Sequence, residues 1–234
     1  MKKLMVLVAA IAMMASSAYA ADWNFYGSAR IQTFYANTEV IDSATDATNL
    51  EENLQGNSRI GARVKVSDEL SGRFEYGASG GNANIRLLYG NWNFGAGNLV
   101  VGQDYAPLNW FYSNQVFDGD ADLLPYGGVY SGRAGQLKLI FGGFNLAFVA
   151  PSVAGVGVGA TTEVTIPTIE VTYSHTWENV TVDLGLGYNT FENTVGTVEN
   201  DVDAYVLALG AKGNFGAFYL AGNIYGGENT GYIL

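Results

Sequence analysis

The sequence predicts an all-β chain, a transmembrane antiparallel up-and-down β-barrel, and three observations predict it. The first is strand periodicity. In Asn57-Ser-Arg-Ile-Gly-Ala-Arg-Val-Lys-Val66, Arg59, Gly61, Arg63 and Lys65 share one parity, and Ile60, Ala62, Val64 and Val66 share the other. A strand repeats every two residues, so one face is basic and the other apolar. The second is recurrence, because segments of about ten residues with such patterning follow one another with turn residues between them, as a lipid-facing outside and a wet inside require. The third is that the connections between segments alternate long and short. Outer-membrane barrels have short periplasmic turns and longer external loops, whereas a soluble β-sandwich has no reason to keep this parity.

Taken in order, about eleven strands are expected near 22–36, 56–66, 70–78, 84–94, 97–103, 134–141, 143–150, 165–177, 179–189, 202–212 and 215–225. In the eighth, Ile169, Val171, Tyr173, His175 and Trp177 oppose Thr168, Glu170, Thr172, Ser174 and Thr176. In the ninth, Val180, Val182, Leu184, Leu186 and Tyr188 oppose Thr181, Asp183, Gly185 and Gly187. The tenth, with Val206, Leu207 and Leu209, alternates poorly. Aromatic residues gather near strand ends (Trp23, Phe25, Tyr35, Trp92, Phe94, Tyr173, Trp177 and Tyr188), where interfacial girdles belong. Long connections are expected at 37–55, 104–133, 151–164 and 190–201, a medium one at 79–83, and short ones at 67–69, 95–96, 142, 178 and 213–214. This register puts the N-terminus on the periplasmic side. An odd strand number with the chain ending at Leu234 leaves an edge open, which lipid does not tolerate, so the chain reads as the N-terminal part of a larger barrel.

Residues 1–20 read as a secretory signal peptide, and 21–234 as the barrel. Lys2 and Lys3 form a basic start, Leu4 to Met14 an apolar stretch, and Ala18-Tyr19-Ala20 a small-x-small cleavage site. Without Lys2 and Lys3, the nine remaining basic and 22 acidic residues give a net charge of −13. That balance argues against nucleic acid as a partner. With no cysteine, a disulfide scaffold is excluded.

The connection 104–133 carries the chemistry. A loop of roughly thirty residues without structure of its own is usually functional. It contains Asp104-Tyr-Ala-Pro-Leu-Asn-Trp-Phe-Tyr112, then Asp118-Gly-Asp-Ala-Asp-Leu-Leu-Pro-Tyr-Gly-Gly128, then Ser131-Gly-Arg133. At this point the chain resembles the general trimeric porins of Gram-negative outer membranes. The third external loop of that family follows the fifth strand, folds into the lumen and tends to read Asp-x-Leu-Pro-Glu-Phe-Gly-Gly. Asp122-Leu-Leu-Pro-Tyr-Gly-Gly128 stands in the same place. Arg59 opens a Ser-Arg-Ile-Gly stretch like the family's second-strand Arg-Leu-Gly, Arg86 opens Arg-Leu-Leu-Tyr, and Arg133 lies in Gly-Arg-Ala-Gly. Phe25-Tyr-Gly27 is also family-like, and the resemblance spans 22–225.

The resemblance implies a sixteen-stranded barrel, hence a C-terminally truncated chain, in the outer membrane and in a homotrimer. It implies a water-filled channel through which ions and small hydrophilic solutes diffuse passively, with no cofactor and no enzymatic activity. It makes Asp122 the acid of a pore constriction, with Asp118 and Asp120 beside it. The family's second constriction acid falls on Tyr126, which is not acidic. Opposite them it expects a basic wall of Arg59, Arg86 and Arg133 with Arg30 as a substitute, and strand parity adds Arg63. Arg30 lies two residues beyond Ser28, where the family's first basic position falls. Arg133 differs in parity from Gln136 and Lys138, so its inward aim needs a bulge or the freedom of Gly132 and Gly135. The connection 79–83 is short and glycine-rich, so the family's latch onto a neighbouring subunit is expected to be absent. Independently of the family, acids facing guanidinium groups across a narrow pore make a transverse field that favours polar solutes. Guanidinium groups stay charged at any relevant pH.

Other chemistries fit less well. Asp118-x-Asp120-x-Asp122 has the spacing that opens a calcium loop, but Leu123 and Val129 stand where an EF-hand needs glycine and glutamate. Ser174 and His175 are adjacent on a strand and point to opposite faces, so they form no nucleophile–base pair. No ligand cluster suits zinc. The alternative function is a surface-structural or adhesin-type barrel without channel activity, expected if the long connection stayed outside and the lumen were plugged.

Overall fold

The computed structural model describes residues 21–38, 47–78, 82–116 and 121–234. Residues 1–20, expected to be a signal peptide, and two of the expected constriction acids, Asp118 and Asp120, lie outside the described residues. The elements are β1 (Asp22–Ser28), β2 (Ile31–Thr38), β3 (Ala47–Leu54), β4 (Arg59–Lys65), β5 (Leu70–Gly77), β6 (Asn84–Asn93), β7 (Asn98–Tyr105), β8 (Arg133–Phe141), β9 (Phe144–Val149), β10 (Thr161–Glu163), β11 (Thr168–Trp177), β12 (Val180–Val195), β13 (Val198–Phe215) and β14 (Phe218–Glu228), followed by a short 3-10 turn at Thr230–Tyr232. Eleven of them form one antiparallel path, β1-β4-β5-β6-β7-β8-β9-β11-β12-β13-β14, with β10 attached to β12. Neighbours in space are neighbours along the chain, which is the up-and-down topology. β1 and β14 do not pair with each other, so among the described residues the sheet is curved and open.

Three of the short connections turn in two residues, with φ positive at the first turn position: Gly142 at 56°, Glu178 at 50° and Gly216 at 66°. A left-handed residue there matches the right-handed twist of the flanking strands. Trp23, Trp92, Phe94, Phe141, Trp177 and Phe218 lie at this end of the sheet, and several stack or meet edge to face, as Phe94 does with Trp92 and Phe141. They form one aromatic girdle. Above it the outward parity carries exposed apolar side chains, among them Phe25, Ile60, Leu220 and Ile224. In water such a face would drive aggregation; in lipid it is the solvated face.

Two stretches read as loops are largely strands, and a third, 151–164, contains the short β10. Residues 37–55 contain the end of β2 and all of β3, which pair with each other from Ile31↔Leu54 to Thr38↔Ala47 and extend the β1–β4 pair as a separate ribbon. The acidic segment Asn49-Leu-Glu-Glu-Asn53 hides the strand because neither face of a ribbon in water needs to be apolar. Residues 190–201 are not a loop either. β12 and β13 continue through them with sixteen and eighteen residues, paired from Val180↔Gly213 to Val195↔Val198 around Gly196 at φ 64°. At about 3.3 Å per residue this hairpin is longer than the membrane band and projects beyond it. Glu163 of β10 pairs with Glu192 on that projection.

Candidate functional site

The connection between β7 and β8 runs across the inner face of the sheet. Leu108, Trp110 and Val129 are buried against Ala204, Val206 and Ala208 of β13 and Ile233. This explains the poor alternation of β13: Val206 and Ala208 point inward, yet they meet an apolar loop rather than water. β12 makes room for the loop with glycine. A Cβ at Gly185 would lie 2.5 Å from Leu108 Cδ2, and one at Gly187 would lie 2.9 Å from Leu108 Cδ1. Inward polar groups fasten the backbone. The carboxylate of Glu170 in β11 accepts the Leu108 N–H at 2.8 Å and the Ser131 hydroxyl at 3.2 Å. Tyr112 donates to Asp183 of β12 at 2.5 Å, and burial followed by that carboxylate pushes its phenol above the ordinary value. Asn223 of β14 donates to the Gly127 carbonyl at 2.9 Å. Asn109 closes the loop base by donating to Ala106 and Gly132.

The opposite wall, β4 to β6, is basic and is organised around Glu75. This carboxylate is 1 % exposed. Arg86 Nε donates to it at 2.8 Å, Arg73 Nη2 at 2.9 Å and the Tyr26 hydroxyl at 2.8 Å, while Arg59 Nη1 lies at 3.7 Å. Arg86 also reaches Asn57 and Tyr105. Register explains the gathering: Arg59 pairs with Gly77, Arg63 with Arg73 and Gly61 with Glu75, so the side chains from the two strands share one face.

Between the loop and this wall is a cavity of about 1050 Å³. It is lined by Arg30, Arg59, Arg86 and Arg133 from the sheet side, by Asp122, Leu124, Pro125 and Gly128 from the loop, and by Asn57, Asn84, Tyr105 and Tyr130 among others. Asp122 and Leu123 both adopt left-handed backbone, at φ 55° and 58°, conformations that cost a non-glycine residue roughly 1–2 kcal/mol each. Arg133 follows Gly132, at φ 85°, and donates to the Tyr105 hydroxyl at 2.9 Å with its guanidinium over that ring.

Two expected site residues lie elsewhere. Tyr126 is 60 % exposed and does not line this cavity, because the turn 122–127 brings it to the loop surface. Arg63 lines a second cavity of about 660 Å³ with Lys65, Arg73, Tyr89 and Asp104, toward the short-turn end of the same wall. Four residues of strand separate it from Arg59, about 13 Å. There it lies over the Tyr26 ring, 5.2 Å from the centroid. Sequence reasoning gave no role to Glu75, Glu170, Asp183 or Tyr105. The signal for the first was present: Glu75 shares parity with Arg73 and Ser71 on a strand whose other face carries Phe74 and Tyr76.

No curated protein matches the chain. Among solved structures it is similar to the outer membrane channel DcaP of Acinetobacter baumannii, with 15% identity and a TM-score of 0.66 over 89% of this chain. It is also similar to a loop L8 deletion mutant of OmpT, an outer membrane protein of Vibrio cholerae, with 20% identity and a TM-score of 0.58 over 89% of this chain. It spans 64% of the first chain and 70% of the second. At these identities the likeness speaks for the fold, an outer-membrane β-barrel. A family model described as Gram-negative porin matches residues 7–232, and the chain belongs to that family.

Proposed function

We propose that the protein forms a water-filled channel in the outer membrane through which ions and small hydrophilic solutes diffuse passively, with no enzymatic step. Membership of the porin family supports this reading, and one observation carries it. A loop pinned inside the sheet faces an arginine wall, and a polar cavity of about 1050 Å³ separates them. Asp122 on the loop and Arg30, Arg59, Arg86 and Arg133 on the other side are the constriction groups of this proposal. Asp118 and Asp120 belong to the same loop and are assigned the same acidic side. A homotrimer is part of the proposal on family grounds. The test is single-channel recording of the complete gene product in planar bilayers. Steady, voltage-independent conductance steps are expected. Correctly inserted protein without steps would overturn the proposal in favour of a surface-structural barrel.

A further inference from the structure

All nine cations beyond the leader are turned inward, although the chain as a whole is acidic at −11. Arg30, Arg59, Arg86 and Arg133 line the larger cavity, and Arg63, Lys65 and Arg73 the smaller. Lys138 holds Asp104 at 2.6 Å, and Lys212 lies over the Tyr112 ring. Part of the acidic charge is distributed in the opposite way. Glu51, Glu52, Glu199 and Asp201 are exposed on the projecting ribbons.

The inward carboxylates among the described residues are nearly all engaged by the fold. Glu75 is bound by Arg73 and Arg86, Asp104 by Lys138, Glu170 by the Leu108 N–H, and Asp183 by Tyr112. Glu75 carries one charge and has three guanidinium groups around it, so that cluster keeps a positive excess. Of the described acids only Asp122 lines the larger cavity, against four arginines. Arg133 has no carboxylate within 4.0 Å among the described residues; it is held by the Tyr105 hydroxyl and ring, which leave its charge unmatched.

We propose that the lumen prefers anions, taking small solutes that carry carboxylate- or phosphate-type oxygens, and that Arg133 together with Arg59 sets this preference. The inference rests on the channel reading and adds its substrate class. Walls of low dielectric focus the field of an uncompensated guanidinium into the narrow water path, which enriches anions and depletes cations there. The fork of N–H donors suits a planar oxyanion, and the amides of Asn57 and Asn84 line the same space.

The test uses the complete gene product in planar bilayers under a potassium chloride gradient. The reversal potential is expected to show chloride more permeant than potassium. Arg133→Gln is expected to lower that permeability ratio roughly seven-fold, because one unit charge at roughly 7 Å through water changes chloride and potassium each by about 2.7-fold in opposite directions. Arg133→Lys is expected to retain it. Steady channels that favour potassium would overturn the inference and leave the channel reading intact, as would a ratio unmoved by Arg133→Gln and Arg59→Gln. Absence of any steady conductance overturns both.

Discussion

A carboxylate set among guanidinium groups lowers their mutual repulsion and holds them in one geometry, and Glu75 does this for Arg59, Arg73 and Arg86. Replacing it by glutamine leaves three cations with no acid between them. Breaking a buried ionic cluster from one side costs about 3–5 kcal/mol. We expect Glu75→Gln to lower the thermal unfolding midpoint in detergent, read as loss of the compact band on unheated gels; an unchanged midpoint would remove Glu75 from its organising role. The arginines themselves are tested by Arg59→Ser combined with Arg86→Ser. The double variant should widen the pore and shift it toward cations, because positive charge leaves the cavity while Asp122 remains. An unchanged reversal potential in a salt gradient would rule these two out as constriction groups. Parity in the sequence is enough to turn Arg59 and Arg63 to the same face. It cannot tell that one lines the loop-facing cavity and the other the cavity toward the short turns, because that depends on where the loop docks.

The β7–β8 connection behaves as a docked element rather than as a free loop, since Leu108, Trp110 and Val129 are buried against β13 and its backbone is bonded to β11 and β14. Leu108→Ser with Trp110→Ser should undock it. The expected result is a larger and noisier conductance with a normal yield of folded protein; a conductance equal to that of the parent would show that the loop does not narrow the path. Tyr112→Phe is a milder probe that leaves Asp183 without its donor, at a cost of about 1–3 kcal/mol. The Tyr112 phenol is raised above its ordinary value, chiefly by burial. Its contribution is therefore complete below the unfolded-state pKa near 10 and is lost only as pH rises through the higher folded value. Conductance should accordingly stay steady up to about pH 10; loop opening near pH 8 would contradict this anchor. The resemblance of residues 122–128 implies an inward course for the loop, but the surface that receives it is not written in the loop's own residues. Leu108 and Trp110 are readable as apolar, but their partners, Val206 and Ala208, are about a hundred residues away and look like a flaw in the alternation of β13 until the loop covers them.

The sheet is held by lipid on one face and by water and the loop on the other, and its two lateral edges, β1 and β14, have a neighbour on one side only. Backbone groups on such an edge have no partner in hydrocarbon. Residues 21–234 produced by themselves are therefore expected to aggregate and to give no steady channels in bilayers. Reproducible channels from that segment would show that the edges close on each other. The aromatic girdle gives a second check on orientation. Trp23, Trp92 and Trp177 stand at the short-turn end, so their fluorescence should be quenched by labels in the lipid headgroup region more than by labels at the bilayer centre.

The topology of this protein was legible in its residues because a membrane barrel imposes a local rule on every strand: apolar outward, polar or small inward, a tight turn on one side. That rule acts over two residues at a time, so the chain alone shows it, and the eleven-strand path follows from it. The ribbon β2–β3 escaped it because it is exposed on both faces, where no alternation is required, whereas upper β12–β13 escaped it because its inward face, with Phe191 and Asn193, is covered by distant segments at Tyr232 and Val156. Part of the site escaped for a different reason. The meeting of Glu75 with three arginines and the grip of Glu170 and Asp183 on the loop are contacts between strands, or between a strand and a loop, that lie apart in the chain. Such contacts depend on the curvature of the sheet and on the docking of one segment across it, and no local pattern records either.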